Sequence, residues 1–216
     1  MTTYKPFEQP RQPVQERARR TRERLLEAAA LVFARDGYER ASLNGLIRES
    51  GLTKGAFYHH FSSKEELALA TFRYKQEQLL ARARELMPQD VDAVEELRAV
   101  IRVRARLYAE DPSLRCILRL GAELGATAGP GSDFAGYQDL AIETFAGIVR
   151  RGQQERSIRP EIDPRSAGEA IFAAVVGADR LSRMLTGSAD LEQRGQQLVD
   201  LLVHGLAQPR PPRRRR

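Results

Sequence analysis

The sequence has no tryptophan, a single cysteine and only three histidines among its 216 residues. One cysteine, Cys116, cannot form an intrachain disulfide and is typical of a protein from a reducing compartment. No stretch approaches the roughly 20 apolar residues of a membrane-spanning helix, and the basic N-terminus lacks the apolar segment of a signal peptide. These absences predict a soluble cytoplasmic protein with no membrane partner.

The scarcity of catalytic and metal-binding residue types narrows the function further. His59 and His60 are adjacent, so on a helix their side chains point about 100° apart and cannot bind one ion together. The third histidine, His204, is remote in sequence. No set of base, nucleophile and metal ligands converges along the chain. We therefore expect no enzyme activity, no cofactor and no metal site.

Positive charge is concentrated at the two ends of the chain. The formal net charge is +6, with 12 basic and 9 acidic side chains in residues 1–66 and five arginines within 207–216. A basic segment on a near-neutral body suits a nucleic-acid partner, because binding to phosphates releases counterions. The same charge is also compatible with a purely solubilising role, so charge alone does not distinguish nucleic-acid binding from solubility.

Helical periodicity runs through most of the chain. Leu25, Ala29, Val32 and Phe33 share one face of a helix that starts near residue 15 and ends at Gly37. The sequence contains no alternating apolar and polar runs of the kind that strands need, so it predicts an all-α fold. After a long helix opened by a capping box at 62–65, further helices are predicted at about 91–110, 112–124, 134–154, 164–186 and 190–206. Asp111 and Asp163 are the expected caps before Pro112 and Pro164, and residues 125–132 are expected to form a loop.

Residues 42–61 predict two short helices joined by a tight turn. Ser42 can cap the first helix, Gly51 ends it, and Thr53 can cap the second. A glycine in a short turn between such helices is typical of a helix-turn-helix, whose second helix enters the major groove of DNA. An ordinary helical hairpin has the same spacing, so spacing alone leaves both interpretations open.

A family resemblance favours the helix-turn-helix. The run Thr53-Lys54-Gly55-Ala56-Phe57-Tyr58-His59-His60-Phe61, followed by Ser63-Lys64-Glu65-Glu66-Leu67, resembles the signature of the TetR family of transcriptional regulators. The likeness covers about residues 17–67. It implies a three-helix DNA-binding domain at 15–62 and a helical ligand-binding and dimerisation domain at 63–207. Separately, composition predicts a disordered, proline-containing arm at 1–14 and a basic tail at 208–216.

The resemblance also implies which residues contact DNA. The expected DNA-facing set is Ser42, Thr53, Lys54, Gly55, Phe57, Tyr58, His59 and Lys64. Ser42 is expected to touch a phosphate, and Lys64 the DNA backbone at the start of the next helix. For Phe57 two alternatives stay open, since the ring can reach a thymine methyl group or pack inward.

A narrower resemblance concerns the remaining two-thirds of the chain. Residues 111–115, 119–120 and 158–163 resemble the γ-butyrolactone autoregulator receptors. Those receptors typically present a tryptophan to the lactone, whereas this chain has Tyr137 at that place, which predicts a pocket of different shape and polarity. The expected ligand-binding residues are Leu118, Phe134, Tyr137, Ile171 and Val175.

Two further features have more than one interpretation. Arg119 and Glu123 are spaced as a surface ion pair, or alternatively as a polar anchor in the ligand pocket. The small residues of 164–186 and the leucines of 191–206 can form an intrachain core or a four-helix dimer interface, and the resemblance favours the dimer.

Together these features predict a repressor that is released from a palindromic operator by a γ-butyrolactone-like molecule. Its expected partners are double-stranded DNA, a small-molecule effector and a second copy of the chain, which places it on the nucleoid in the cytoplasm. The alternative within the family is a repressor of an efflux or catabolic gene that senses an unrelated hydrophobic compound or antibiotic. An enzyme of the helical core is disfavoured because no base, nucleophile or metal set converges. A protein–protein adaptor is disfavoured because it leaves the groove-facing helix unexplained.

Overall fold

A computed structural model of the protein describes residues 11–125 and 132–208. The α-helices are α1 (Arg11–Arg40), α2 (Leu43–Ser50), α3 (Lys54–His60), α4 (Lys64–Leu86), α5 (Ala93–Glu110), α6 (Cys116–Gly125), α7 (Asp133–Gln154), α8 (Pro164–Thr186) and α9 (Leu191–Leu206). Within these residues no strand forms, and the one extended pairing is an isolated bridge between Ile158 and Ala207. The predicted all-α fold is confirmed.

The helix boundaries follow the sequence signals closely. Asp111 and Asp163 accept hydrogen bonds from Ser113 N and Ser166 N, as the expected caps should. The helix predicted at 112–124 differs in its first turn, which is a 3₁₀ helix over 112–115 that becomes α-helical only at Cys116. The first helix starts at Arg11, inside the predicted arm. Residues 1–10, most of the predicted loop (126–131) and the tail from 209 lie outside the described residues.

The helices α1 to α3 form a small unit around one apolar face of α1, here called the head. The predicted face of α1 is buried in full, with Leu25, Ala29, Val32 and Phe33 at 3% exposure or less. It belongs to one core cluster with Leu46 and Ile47 of α2 and with Phe57 and Phe61 at α3. Burial of aromatic and branched side chains at this density holds two short helices that could not form alone.

Helix α4 joins the head to the remaining helices, here called the body. Its Lys75 is 2% exposed, and Lys75 Nζ lies 2.6 Å from Glu27 Oε2 on α1 and 2.9 Å from Gln78 Oε1. Tyr74 Oη donates to the other oxygen of Glu27. A buried amine needs such partners, because an unpaired charge in the interior is strongly destabilising.

The body packs α5, α7, α8 and α9 around a second core cluster that includes Leu97, Phe145, Ile171 and Val199. Helix α8 approaches α7 so closely that a Cβ on Gly168 would lie 2.5 Å from the carbonyl oxygen of Ile142. This contact is with backbone, so it cannot be relieved by a side-chain rotation.

Replacing Gly168 with alanine is therefore expected to lower the free energy of unfolding by about 1–3 kcal/mol, the usual range for overpacking. Chemical denaturation at one fixed protein concentration measures this. The matched control is Gly147→Ala on α7, where the added Cβ meets only Arg150 Nη2 at 3.8 Å. That change should be neutral or stabilise by up to about 1 kcal/mol, since alanine is the better helix former. Equal effects of the two substitutions would contradict the close packing.

Candidate functional site

The first candidate site is the α2–α3 unit, whose geometry is set by its turn. Gly51 adopts the left-handed conformation, with φ 65° and ψ 20°, and ends α2. The hydroxyl oxygens of Ser42 and Thr53 accept from Gly45 N and Ala56 N at the starts of α2 and α3, confirming both predicted caps. Each hydroxyl keeps its hydrogen, which can be donated to a phosphate.

Helix α3 has one buried and one exposed side. Phe57 is completely buried and packs with Phe61, 6.1 Å between ring centroids. Its inclusion among the DNA-facing residues is therefore wrong, because the ring fills the core of the head instead of reaching outward. The inward alternative is the observed one.

The exposed side of α3 carries the other residues expected there. Thr53, Lys54, Gly55 and His59 are exposed, and Tyr58 is 48% exposed. Lys54 Nζ lies 5.9 Å from the centroid of the Tyr58 ring, which groups an amine and a phenol on one surface. An α-helix with its side chains is about 10–12 Å across, so α3 fits a major groove about 12 Å wide.

Gly55 leaves the middle of this surface open. A Cβ added there would meet only Thr53 Oγ1, at 3.9 Å. The neighbouring Ala56 is also small, so nothing on α3 between Lys54 and Tyr58 keeps the backbone from approaching a duplex. Such a surface can place an amine, a phenol and an imidazole against phosphates and base edges.

Lys64 lies at the start of α4, but its amine is largely used within the head. Lys64 Nζ donates to the carbonyl oxygens of Tyr38 at 3.0 Å and Ala41 at 3.2 Å, and it lies 4.1 Å from the centroid of the Tyr38 ring. At most one of its three N–H groups remains for a phosphate. The expected contact of Lys64 with DNA stays a prediction, and its observed role is to hold the end of α1.

The second candidate site is a small cavity in the body. It has a volume of about 20 Å³ and is bounded by α5, α6, α8 and α9, with walls that include Ile101, Leu118, Val175, Ala178, Leu191 and Leu198. Such a volume holds about one water molecule. A larger molecule can enter only if these side chains or their helices move apart.

The cavity also has polar groups on its apolar walls. The Tyr108 hydroxyl and Asp179 Oδ1 are buried; Asp179 Oδ1 has no hydrogen-bond partner among the residues that the structure describes, and the Tyr108 hydroxyl has only a weak contact with the Tyr137 side chain. Burial raises the pKa of the Tyr108 phenol well above its ordinary value, so the hydroxyl keeps its proton. Burial also raises the pKa of Asp179, against the opposing influence of Arg183, whose Nη1 lies 3.3 Å from Asp179 Oδ2. Arg104, partly buried, completes the polar side of the cavity.

The structure brings together only part of the predicted ligand-binding set. Leu118 and Val175 line the cavity. Phe134 and Tyr137 instead pack on Phe72 of α4, with ring centroids 4.7 and 5.3 Å away, and Tyr137 also interacts electrostatically with Tyr108. Ile171 belongs to the second core cluster and does not line the cavity. A ligand contact for the last three residues stays a prediction.

Sequence reasoning missed Arg104, Tyr108 and Asp179. A signal for the first two was present, since Leu97, Ile101, Arg104 and Tyr108 follow the spacing of one helical face. A charged residue on an otherwise apolar face points to a buried polar function. Asp179 had no comparable signal, because its surroundings depend on how α8 meets α5 and α6.

The Arg119–Glu123 pair is placed differently from both sequence interpretations. The Arg119 side chain is 12% exposed, so the prediction of a surface pair is wrong. The pair does not line the cavity either. Its atoms contact the backbone of α1 on both sides of Gly37.

Two features are absent from the residues that the structure describes. No group of three or more histidine, cysteine, aspartate or glutamate side chains there is arranged to hold a metal ion. Among the same residues, no helix is long and apolar enough to cross a membrane.

This architecture is similar to that of known proteins. Residues 25–71 match the family described as bacterial regulatory proteins, tetR family. The A-factor receptor protein of Streptomyces griseus is 29% identical over 197 residues, which is 90% of this chain and 67% of that protein. The crystal structure of a γ-butyrolactone receptor, described as ArpA-like, superposes with a TM-score of 0.65 at 27% identity, covering 88% of this chain and all of that one.

One further solved structure is similar enough to show the family. The crystal structure of full-length TylP, a TetR regulator from Streptomyces fradiae, is 31% identical, covers 89% of both chains and superposes with a TM-score of 0.65. The chain belongs to the TetR family of bacterial transcriptional regulators.

Proposed function

We propose that this regulator is a dimeric repressor that binds a palindromic operator and leaves it when a small signalling molecule enters the body. The observation that carries the proposal is the exposed side of α3, with Lys54, Tyr58 and His59 presented around the open position of Gly55. The division into a DNA-binding domain at 15–62 and a ligand-binding and dimerisation domain at 63–207 is part of the proposal. The site of action is the nucleoid in the cytoplasm.

The α3 helices of two subunits would occupy successive major grooves, whose centres are roughly 34–36 Å apart. Lys54 and Tyr58 would contact base edges and phosphates, and the hydroxyls of Ser42 and Thr53 would donate to the flanking phosphates. Each contact is repeated by symmetry, so a palindrome binds more tightly than either half alone.

The expected dimer surface lies on α8 and α9. Apolar side chains remain exposed there, with Leu181 at 49%, Met184 at 68%, Leu185 at 65% and Leu201 at 74%. Ala173 and Gly177 extend the α8 stripe with small residues that permit close helix approach. A stripe of this kind is unfavourable in water and suits a four-helix interface with the same stripe of a second copy.

The proposed effector has an apolar part and a hydrogen-bonding head, as a γ-butyrolactone does. The apolar walls around Leu118 and Val175 suit a hydrocarbon chain, while the buried oxygens of Tyr108 and Asp179 suit a carbonyl or hydroxyl. Two of the compared proteins are named for binding an A-factor and a γ-butyrolactone, which supports this class. A different affinity of the ligand for the DNA-bound and free conformations, typically about 1–3 kcal/mol, would drive release.

The DNA-reading surface is tested first with duplexes enriched from a random library by the wild-type protein. Lys54→Ala and Tyr58→Ala are each expected to weaken binding roughly tenfold or more, because both subunits lose a contact. Fluorescence anisotropy at fixed salt measures the affinity. Arg84→Ala is the control, since it removes one exposed positive charge from α4, away from α3. If Lys54→Ala and Tyr58→Ala bind as wild type does, α3 is not the reading helix.

The dimer surface is tested with a buried-charge substitution. Met184→Glu is expected to convert a dimer into monomers at micromolar concentration, because each subunit would bury an unpaired carboxylate in an apolar interface. Sedimentation velocity distinguishes the species. Leu86→Glu, at a 41% exposed leucine of α4, is the control and should leave the dimer intact. A wild-type monomer, or a dimeric Met184→Glu, would refute this arrangement.

The ligand site is tested with Tyr108→Phe, which keeps the ring and removes a buried hydroxyl from the cavity wall. The variant should melt within a few degrees of wild type, since the lost hydroxyl has only a weak partner, yet bind effector several-fold more weakly. The effector is chosen by thermal-shift screening of butyrolactones, butenolides, furans and antibiotics, and calorimetry gives its affinity.

The matched control is Tyr74→Phe, because the Tyr74 hydroxyl has a partner in Glu27 and lies at the α1–α4 contact. This variant should melt at a lower temperature and bind effector normally. A response of the wild type to antibiotics or other hydrophobic compounds, with none to butyrolactones, would favour the efflux or catabolic alternative.

A further inference from the structure

The backbone of α1 is interrupted at Gly37, and this interruption leaves polar groups without their helical partners. Gly37 has φ 82° and ψ 179°, outside the helical region. Carbonyls before such a break and amides after it lose the hydrogen bonds of a continuous helix. They need partners from elsewhere in the molecule, since buried backbone groups are rarely left unpaired.

Arg119 of α6 supplies the partners on the carbonyl side. Its Nη1 donates to the carbonyl oxygens of Ala34 at 3.2 Å and Arg35 at 2.6 Å, and its Nη2 donates to that of Asp36 at 3.1 Å. A guanidinium carries five N–H groups in a fixed plane, so one side chain can serve all three carbonyls. A cation is also favoured at this end of a helix by the helix dipole.

Glu123, one turn further along α6, supplies the partner on the amide side. Its Oε2 accepts from Tyr38 N at 2.7 Å and from Glu39 N at 3.2 Å. Its Oε1 lies 3.5 Å from Arg119 Nε, so the two side chains also hold each other. One ion pair of the body therefore closes both sides of the break in the head.

Only glycine permits this arrangement at position 37. A Cβ there would lie 2.2 Å from Glu123 Oε1 and 2.7 Å from Arg119 Nη2, so the side-chain atoms occupy the space that a methyl group would need. The positive φ is a second reason, because residues with a Cβ rarely adopt it.

The short segment after the break leads directly into α2 and α3. The carbonyls of Tyr38 and Ala41 accept from Lys64 of α4, and Ser42 caps α2 immediately afterwards. Contacts that fix residues 38–41 therefore fix the orientation of α2 and α3 relative to the body. The ion pair of α6 acts at that point.

The same helix also borders the cavity. Leu118, the neighbour of Arg119, is one of the cavity walls, and Asp179 of the cavity interacts electrostatically with Arg119. A molecule larger than about one water must displace walls of this cavity. Displacement of α6 would carry both members of the ion pair with it.

We infer that Arg119 and Glu123 are positioning residues that set the orientation of the DNA-reading head on the body and pass movements of α6 to α3. This inference rests on the proposed function, since it assumes that α3 reads DNA. It assigns to these two side chains a role in the spacing of the two heads, separate from any contact with the duplex.

The test compares a full palindrome with one of its halves. The wild-type protein enriches a palindromic duplex from a random library, and affinities of Glu123→Gln and Arg119→Gln are then measured for that duplex and for a duplex with a single half-site. The half-site needs only the chemistry of α3, whereas the palindrome also needs the correct spacing of two heads. Both variants are expected to bind the half-site within twofold of wild type and the palindrome at least tenfold more weakly.

Controls separate this role from general destabilisation. Glu95→Gln removes exposed ion pairs that lie within α5, with Arg98 at 4.0 Å and Arg102 at 3.9 Å, and should change neither affinity. Melting temperatures check folding, and Glu123→Gln preserves side-chain size if Arg119→Gln proves unstable. Palindrome binding within twofold of wild type, or an equal loss on both duplexes, would overturn the inference. A wild-type protein that enriches no duplex would contradict the proposed function, and the inference with it.

The transmission through α6 is tested by enlarging the cavity wall. Leu118→Phe is expected to weaken palindrome binding at least fivefold in the wild-type background and to have no added effect in the Glu123→Gln background. Such non-additivity indicates a shared route. This part of the inference would be overturned if the fold-losses in palindrome affinity of the two single variants multiplied in the double variant. It would also be overturned if Leu118→Phe alone had no effect.

Discussion

The rest of the structure depends on a backbone conformation at residue 37 that glycine alone adopts easily. The positive φ turns the chain out of α1, and the polar groups exposed by that turn are satisfied from α6. Without the turn, α2 and α3 would not pack across α1. Without the contacts from α6, the turn would leave unpaired carbonyls and amides at the junction of head and body. The local conformation of Gly37 and the hydrogen bonds from α6 together therefore leave the backbone at this junction turned and its polar groups paired.

Features governed by neighbours in sequence were predictable. The apolar face of α1, the left-handed Gly51 and the capping residues Ser42 and Asp163 follow from helical spacing and from hydrogen bonds within a few residues. The exposed side of α3 followed equally from its short polar sequence. The all-α architecture needed only the absence of strand patterns.

Features governed by distant partners were not predictable. Arg119 and Glu123 have the spacing of a common surface pair, and nothing near them in sequence announces a contact with residues more than 80 positions away. Lys64 could serve a phosphate or two carbonyls with the same side chain, and Phe57 could face either way from a short helix. Each choice depends on the tertiary packing of α1 against α4 and α6, which helical periodicity does not encode.

The shortness of α3 has a consequence for how genomic sites are distinguished. Seven residues cover about 10 Å of groove, or roughly three base pairs at about 3.4 Å each. A sequence of three base pairs recurs by chance throughout any genome. Most of the information that separates an operator from random sequence must then reside in the distance and helical phase between two such half-sites. On this view, the rigid framework behind the helices is as much a part of the recognition code as the side chains that touch the bases.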